Sequence, residues 1–444
     1  MNLSTRQQLA ADRLIESRGG LLWWKVGEGK TRIALQWFAM LQHKQSWALP
    51  SICLVVCRRK AFYDWTQEIK HCLPDWPVYE DSCPVRPLTK KASFLLVSEG
   101  QLAALQNILK ENWNIRCVVF DEAWLYSNYK TARSKAAALV SGGRFSIALS
   151  GTIMKARDTI EIYSQATIVH REKLLATSPT AFRTKYQICS MGMGFPVFTP
   201  RAGAYKSIMS ALSNDSDTHF PSNADRLIHH QHHDIDSTPQ QDAMFKELRE
   251  LYSLEAADLE FDHALQVINK TRQIANGWVS NSSGEYIPVA SNKVKKLEEE
   301  LDSLLSANER VVVWCAFRHD VKMLSTLLPF PSVQMLGGQD FDHERWNSGK
   351  VSVCYATEAS GSSVNHFAQC AYAIYFSMDY KWISLQQSRG RTDRKSSAHD
   401  NCYYKYLHVV GSLDKAICNA ANQSGREEKM VIETAMAKQW LTQS

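Results

Sequence analysis

Among its eleven cysteines the chain has no C-x-x-C pair. This argues against zinc ribbons and dithiol redox centres; without a secretory segment, the cysteines read as free thiols in a reducing compartment. Residues Met1 to Arg18 are polar and amphipathic and lack the apolar centre of a signal peptide. No apolar run approaches a membrane span, so no membrane partner is expected. The charge excess is only +6, a weak pull towards a polyanion. With 45% hydrophobic and 22% charged residues, the composition is that of a globular α/β protein. Its 444 residues exceed one core and suffice for two or three domains.

What the chain does have is centred on Gly20-Leu21-Leu22-Trp23-Trp24-Lys25-Val26-Gly27-Glu28-Gly29-Lys30-Thr31. An apolar run enters a Gly-x-Gly-Lys-Thr turn, and a helical pattern follows through Ile33, Ala34, Leu35, Trp37 and Phe38. This is the strand–loop–helix setting of a phosphate-binding loop. Gly27 and Gly29 let successive N–H groups converge on one anion, and the helix N-terminus adds its dipole. Lys30 would meet the β/γ-phosphates and the Thr31 hydroxyl would ligate Mg²⁺. The first glycine of the full G-x-x-x-x-G-K-[ST] pattern is replaced by Trp24. Glu28 belongs to the same turn. Ahead of it, Asn2 to Glu16 reads as a helix, whose Gln7 and Gln8 are either surface residues or, with Gln7 favoured, the cap of an adenine edge.

Further strands are read at Ile52–Cys57, Phe94–Val97, Cys117–Phe120 and Ile147–Leu149. In open parallel sheets, ligands collect at the carboxyl ends of the strands. There the chain places Arg58, Ser98, the acids Asp121 and Glu122, and the hydroxyls Ser150 and Thr152. Asp121 would hold Mg²⁺ and Glu122 would act as general base towards water. Ser150 and Thr152 would sense the γ-phosphate. Arg58 to Lys60 reads equally as a solvated basic turn or as a nucleic-acid backbone contact. Strand and helix alternate over about 150 residues, the pattern of one doubly wound domain.

The segment 166–225 is less regular and reads as a connector. His229, His230, His232 and His233 lie in an extended segment where alternate side chains diverge, so no zinc site is expected. Helical patterns follow near 239–280 and from Lys293 to Leu305. Strands at Val311–Cys315, Val351–Ala356 and Ala373–Phe376 open a second alternating domain without a phosphate loop. It carries Gln387-Ser388-Arg389-Gly390-Arg391-Thr392-Asp393-Arg394, with Arg391 and Arg394 on one face if the segment is helical.

Taken in order, these segments resemble the superfamily 2 helicases and, within them, the Swi/Snf-like ATPases. Gly27–Thr31 resembles motif I, and Leu54–Cys57 with Asp64–Ile69 resembles motif Ia and its helix. Asp121-Glu122-Ala123-Trp124 is similar to the DEAH box, with tryptophan in place of histidine. Ser150-Gly151-Thr152 resembles motif III, with Ile153 where proline is usual. Ser291-Asn292-Lys293 precedes a stretch similar to motif IV, and Thr357 to Asn365 resembles motif V, with Ser363-Val364 in place of Gly-Leu. Gln387 to Arg394 fits Q-x-x-G-R-x-x-R, and Gly411–Asp414 resembles the closing segment.

The resemblance implies two RecA-like lobes, at 1–165 and 226–444, with an ATP cleft between them. It implies ATP and Mg²⁺ as ligands and catalytic roles for Lys30, Glu122, Arg391 and Arg394. Gln7, Gly27, Glu28, Gly29, Lys30, Thr31 and Gln387 would bind nucleotide, and Thr31 and Asp121 the metal. Arg58, Ser98, Ser150, Thr152, Thr357 and Asn365 would contact nucleic acid or couple it to hydrolysis. The expected activity is ATP-dependent translocation on DNA, double-stranded favoured, in replication, recombination or repair. Alternatives are a strand-separating helicase on single-stranded DNA or RNA and a non-hydrolysing nucleic-acid scaffold. The absence of appended modules suggests a phage or bacterial motor in a prokaryotic or phage-infected cytoplasm, monomeric or dependent on an accessory protein.

Overall fold

The computed structural model describes residues 3–24, 27–45, 47, 51–80, 92–112, 114–151, 158–192, 195–212, 227–251, 253–254, 259–260, 264–336, 341–358, 366–379, 382–393, 397 and 399–423. The chain divides into two compact units, Met1–Ser222 and Asn223–Ser444.

In chain order the first unit comprises α1 (Thr5–Glu16), β1 (Gly19–Trp23), α2 (Lys30–Lys44), β2 (Ile52–Cys57), α3 (Phe62–Cys72), β3 (Val78–Glu80), β4 (Ser93–Ser98), α4 (Leu102–Glu111) and β5 (Ile115–Phe120). There follow α5 (Ala132–Ser141), β6 (Phe145–Ser150), α6 (Ile160–Thr167), α7 (Pro179–Tyr186), β7 (Gln187–Gly192), β8 (Phe195–Pro200) and α8 (Ala204–Leu212). Strands β1–β6 form one sheet in the order β1-β6-β5-β2-β4-β3. Every neighbouring pair is parallel. Parallel neighbours require crossovers, so helices cover both faces and the central strands are largely apolar. Strand β2 shows the consequence. Ile52, Leu54 and Val56 enter the core on one face with Leu21, Trp23 and Phe120. Cys53, Val55 and Cys57 enter the other with Leu22, Trp24 and Phe38.

Residues 166–212, expected as part of a connector, add Phe182, Tyr186, Ile208 and Leu212 to the first of these cores. The buried Trp23 Nε1 also donates to Gln165 Oε1 on α6 at 3.2 Å. Arg144, just before β6, donates to the carbonyls of Leu109, Lys110, Asn112, Ile115 and Val140. Several of these belong to the last turns of α4 and α5, where carbonyls have no partner within the helix.

The second unit comprises β9 (Leu227–Ile235), α9 (Pro239–Leu251), β10 (Ser253–Leu254), β11 (Leu259–Glu260), α10 (Ala264–Ala275), β12 (Trp278–Ser280), β13 (Tyr286–Pro288), α11 (Asn292–Ser306) and β14 (Val311–Cys315). It continues through α12 (Arg318–Leu327), β15 (Ser332–Met335), α13 (His343–Asn347), β16 (Val353–Thr357), β17 (Tyr372–Tyr375), α14 (Trp382–Thr392), β18 (Asn401–Val409) and α15 (Asp414–Gln423). Its sheet also has six strands, in the order β15-β16-β14-β17-β18-β9. These are again all parallel. The expectation of two doubly wound, RecA-like parallel-sheet units agrees with this architecture.

One buried polar network spans the second unit. The Asp320 carboxylate accepts from Ser377 Oγ (2.6 Å), Trp278 Nε1 (2.7 Å), Asn276 Nδ2 (3.0 Å) and the Phe317 N–H (3.3 Å). Burial pushes this carboxyl above its ordinary range, and the Ser377 and Trp278 donors oppose the shift. Asn276 Oδ1 in turn accepts from Lys293 Nζ at 3.0 Å, and Lys293 pairs with Asp414 Oδ2 at 2.7 Å. Among the described residues, no helix is long and apolar enough to cross a membrane.

Candidate functional site

Because the first sheet is parallel, its strands deliver their C-terminal ends to a single edge. Trp23 of β1 pairs with Ser150 of β6. Phe120 of β5 lies between Val56 of β2 and Ala148 of β6, and Cys57 pairs with Ser98 of β4. The Gly-Lys-Thr turn, Arg58, Ser98, Asp121, Glu122 and Ser150 therefore all leave the sheet at that edge.

The turn has the backbone that its glycines suggest. Gly27 and Gly29 have φ of 85° and 83°, and Gly29 in the left-handed region is the residue from which α2 starts. A non-glycine residue in this conformation pays a steric cost against its own carbonyl. Lys30 Nζ reaches back across the turn and donates to the Trp24 carbonyl at 2.8 Å. Helix α1 braces the turn from outside. Gln7 closes a capping box with Ser4 and donates from Nε2 to the Glu28 carbonyl at 3.1 Å. The Arg6 guanidinium lies 4.0 Å from the Trp24 ring centroid and 3.7 Å from Glu28 Oε2. Trp24 thus fills the position of the missing glycine as a buried, cation-stacked wall of the loop.

Each acid after β5 is gripped by an indole. Trp65 Nε1 on α3 donates to Asp121 Oδ2 at 3.0 Å, while Asp121 Oδ1 accepts the Glu122 N–H at 3.0 Å. Glu122 itself has φ 55°, a left-handed conformation uncommon for a glutamate. Its Oε2 accepts from Trp124 Nε1 at 2.6 Å. Arg58 then lies over the Trp124 ring, 4.9 Å from its centroid. The side chains at the ends of β2 and β5 are therefore linked as Arg58–Trp124–Glu122. In the sequence Trp124 is visible only as a departure from histidine; its bond to Glu122 is what the sequence reading lacked.

The other expected residues are distributed as follows. Ser98 Oγ donates to Gln101 Oε1 at 2.9 Å, and Ser150 is buried at the end of β6. In the second unit, Thr357 ends β16 and is 6% exposed. Gln387 and Arg391 are buried on α14, which ends at Thr392. Arg389, on the same helix, donates to Tyr406 Oη (2.6 Å) and Asn422 Oδ1 (2.7 Å). Thr152, Asn365 and Arg394 lie outside the described residues.

No family model matches the sequence, and no curated protein matches it. Among solved structures, the chain is similar to the SWI2/SNF2 ATPase core of Sulfolobus solfataricus in complex with double-stranded DNA. That similarity has a TM-score of 0.44 and 17% sequence identity, and covers 99% of this chain and 94% of that one.

Proposed function

We propose that the protein is a nucleic-acid-stimulated ATP hydrolase that translocates on DNA, with duplex DNA as the favoured track. The observation that carries this reading is the shared edge of the first sheet. There a glycine turn ending in Lys30-Thr31 and the acid pair Asp121-Glu122 emerge from strands of one sheet, with both carboxylates held by indole N–H groups. A positive-φ turn, a lysine reaching across it, a hydroxyl at the helix start and a fixed carboxylate fit a magnesium nucleotide.

In this reading Gly27, Glu28 and Gly29 offer backbone N–H groups to the phosphates, and Lys30 neutralises their charge. Thr31 and Asp121 would hold Mg²⁺, which would supply Lewis-acid neutralisation of the phosphate charge. Glu122 accepts a proton from the attacking water. Gln7 stands beside the turn as the proposed adenine contact. Gln387, Arg391 and Arg394 take the roles implied by the Q-x-x-G-R-x-x-R segment, the arginines stabilising charge on the transferred phosphoryl group. Arg58 is the proposed nucleic-acid contact nearest the chemistry, since it stacks on the tryptophan that holds Glu122. Backbone contacts would dominate, so binding would be salt-sensitive and largely independent of sequence.

The test is steady-state ATP hydrolysis by the full chain, alone and with duplex DNA, single-stranded DNA or RNA. Stimulation by duplex DNA that is lost in Lys30→Ala supports the proposal. Stimulation by single strands alone favours a strand-separating helicase. Nucleic-acid binding without turnover under any condition overturns the enzyme reading in favour of a scaffold.

A further inference from the structure

The histidine-rich strand β9 is an edge of the second sheet, and its pairing with β18 builds a cluster that the local sequence does not suggest. His232 faces Tyr406, and Asp234 faces His408. His232 Nδ1 lies 3.0 Å from His408 Nε2, although the two residues are 176 apart in sequence. The Cys418 thiol on α15 closes the group: one ligand atom from each of His232, His408 and Cys418 lies within 4.8 Å of the others. His408 and Cys418 are buried, and His232 is exposed.

We propose that His232, His408 and Cys418 form a binding site for a zinc-class divalent cation, open to solvent on the His232 side. Two imidazoles and a thiolate are the borderline-soft donors that zinc and its neighbours prefer. Two nitrogens on a tetrahedral zinc stand about 3.3 Å apart, and a nitrogen and a sulfur about 3.6 Å, given ordinary bond lengths. The histidine pair needs a few tenths of an ångström to reach the first separation, and the thiol, within 4.8 Å of both nitrogens, up to about 1.2 Å to reach the second. A water from the exposed side completes four-coordination.

The surroundings orient the donors. The His232 ring stacks on Tyr406 (4.8 Å between centroids, 18° between planes) and meets His408 edge to edge in a nearly common plane (5.3 Å, 16°). Asn422 Nδ2 donates to Cys418 Sγ at 3.4 Å and to the Cys418 carbonyl at 2.8 Å. Outer partners of this kind fix ligand geometry in metal sites. Both Tyr406 and Asn422 also accept from Arg389, so the cluster is tied to α14. The charged neighbours include both signs: Asp234 pairs with Lys415 at 2.8 Å, Asp414 with Lys293 at 2.7 Å, and Arg389 is bonded to Tyr406.

Binding balances simply. The Cys418 thiol releases one proton to solvent. The imidazole N–H that bridges the two histidines shifts its proton to the other nitrogen of the same ring, through water. One cation enters, and no redox step is involved. The site would staple the edge strand β9 to β18 and α15. The inference is independent of the proposed ATP chemistry.

The experiment uses the full chain, stripped by chelator, reduced, and titrated with Co²⁺, followed by Zn²⁺ competition. The expected result is one Co²⁺ per chain, with a thiolate-to-cobalt charge-transfer band that Zn²⁺ abolishes. Cys418→Ser should remove the band. His232→Ala, at an exposed position and so compatible with folding, should weaken affinity by at least about tenfold. Cys189→Ser, at an exposed cysteine elsewhere, should change neither. A chain that takes up no stoichiometric Co²⁺ at micromolar concentration overturns the site. So does a thiolate band that survives both Cys418→Ser and His232→Ala.

Discussion

Trp124 Nε1 donates to Glu122 Oε2 at 2.6 Å, fixing the carboxylate proposed as general base. Glu122 already sits at a positive φ, so its side chain starts from an unusual backbone direction and the indole sets where it points. Trp124→Phe keeps the ring beneath Arg58 and removes only the N–H donor. A hydrogen bond to a charged group is worth about 1.5–3 kcal/mol. ATP turnover should therefore fall roughly tenfold to a hundredfold while the circular dichroism spectrum stays unchanged. Trp124→His should recover part of the loss by restoring a ring N–H. Wild-type turnover in Trp124→Phe would show that Glu122 is positioned by something else.

Lys293 and Asp414 present a different case, in which the pair serves the fold. Lys293 has no exposed side-chain surface and meets Asp414 at 2.7 Å, with Asn276 as its further partner. Removing one member of a buried pair leaves the other charged in a low-dielectric core, at a cost of about 3–5 kcal/mol. Lys293→Met should lower the denaturant midpoint of the second unit accordingly. The double variant Lys293→Met with Asp414→Leu should regain a substantial part, because no lone charge remains. A loss below about 1 kcal/mol in the single variant would mean that water reaches the pair.

Arg144 makes a similar prediction for the first unit. Its guanidinium collects carbonyls from α4, β5 and α5, including those of Leu109 and Asn112 at 2.9 and 3.0 Å. Arg144→Lys offers a point charge where a planar fork is needed. It should destabilise the unit by about 2–3 kcal/mol, with Arg144→Met at least as damaging. Thermal or denaturant unfolding followed by tryptophan fluorescence reads this directly. Equal stability of Arg144→Lys and wild type would show that the fork geometry is dispensable.

These residues also mark what could be read from sequence. The glycine turn was legible because its geometry is local: Gly27 to Thr31 contains its own backbone signals, and the apolar run before it announces a strand. Strands β2 and β14, and β5 from Cys117 onwards, were legible because burial on both faces makes them continuously apolar. Strand β18 was not recognised. It alternates Cys402, Tyr404 and Tyr406 with Tyr403 and Lys405, and its polar start conceals a strand that carries much of the second core. The region from 166 to 212 reads as irregular because its helices are short and prolines and glycines punctuate it, yet Phe182 and Leu212 pack into the first core. Arg144 gave no sequence signal, since its partners are carbonyls brought together only by folding. The histidines of β9 are legible as an extended segment, but the partners of His232 lie on β18 and α15.

Gly29 offers a test in which two explanations can be separated. A Cβ at this position would stand 2.3 Å from Gln7 Nε2, and the residue's φ is 83°. Gly29→Ala should therefore weaken nucleotide binding, either through the clash or through the backbone. The clash is with the far end of a flexible side chain, which can swing away at the loss of its bond to the Glu28 carbonyl. The left-handed backbone cannot be relieved in that way and costs alanine about 1–2 kcal/mol. The backbone should dominate. Gly29→Ala should reduce ATP affinity about tenfold, with Lys30 and Thr31 still present but presented on a relaxed turn. Gly29→Ala should cost the same factor in affinity in the Gln7→Ala background as in the wild type, whatever Gln7→Ala loses by itself as the proposed adenine contact. Equilibrium titration with a fluorescent nucleotide measures all three variants, Gln7→Ala included. A smaller loss in the Gln7→Ala background than in the wild type would place the cost in the contact between α1 and the turn, and not in the conformation of the turn itself.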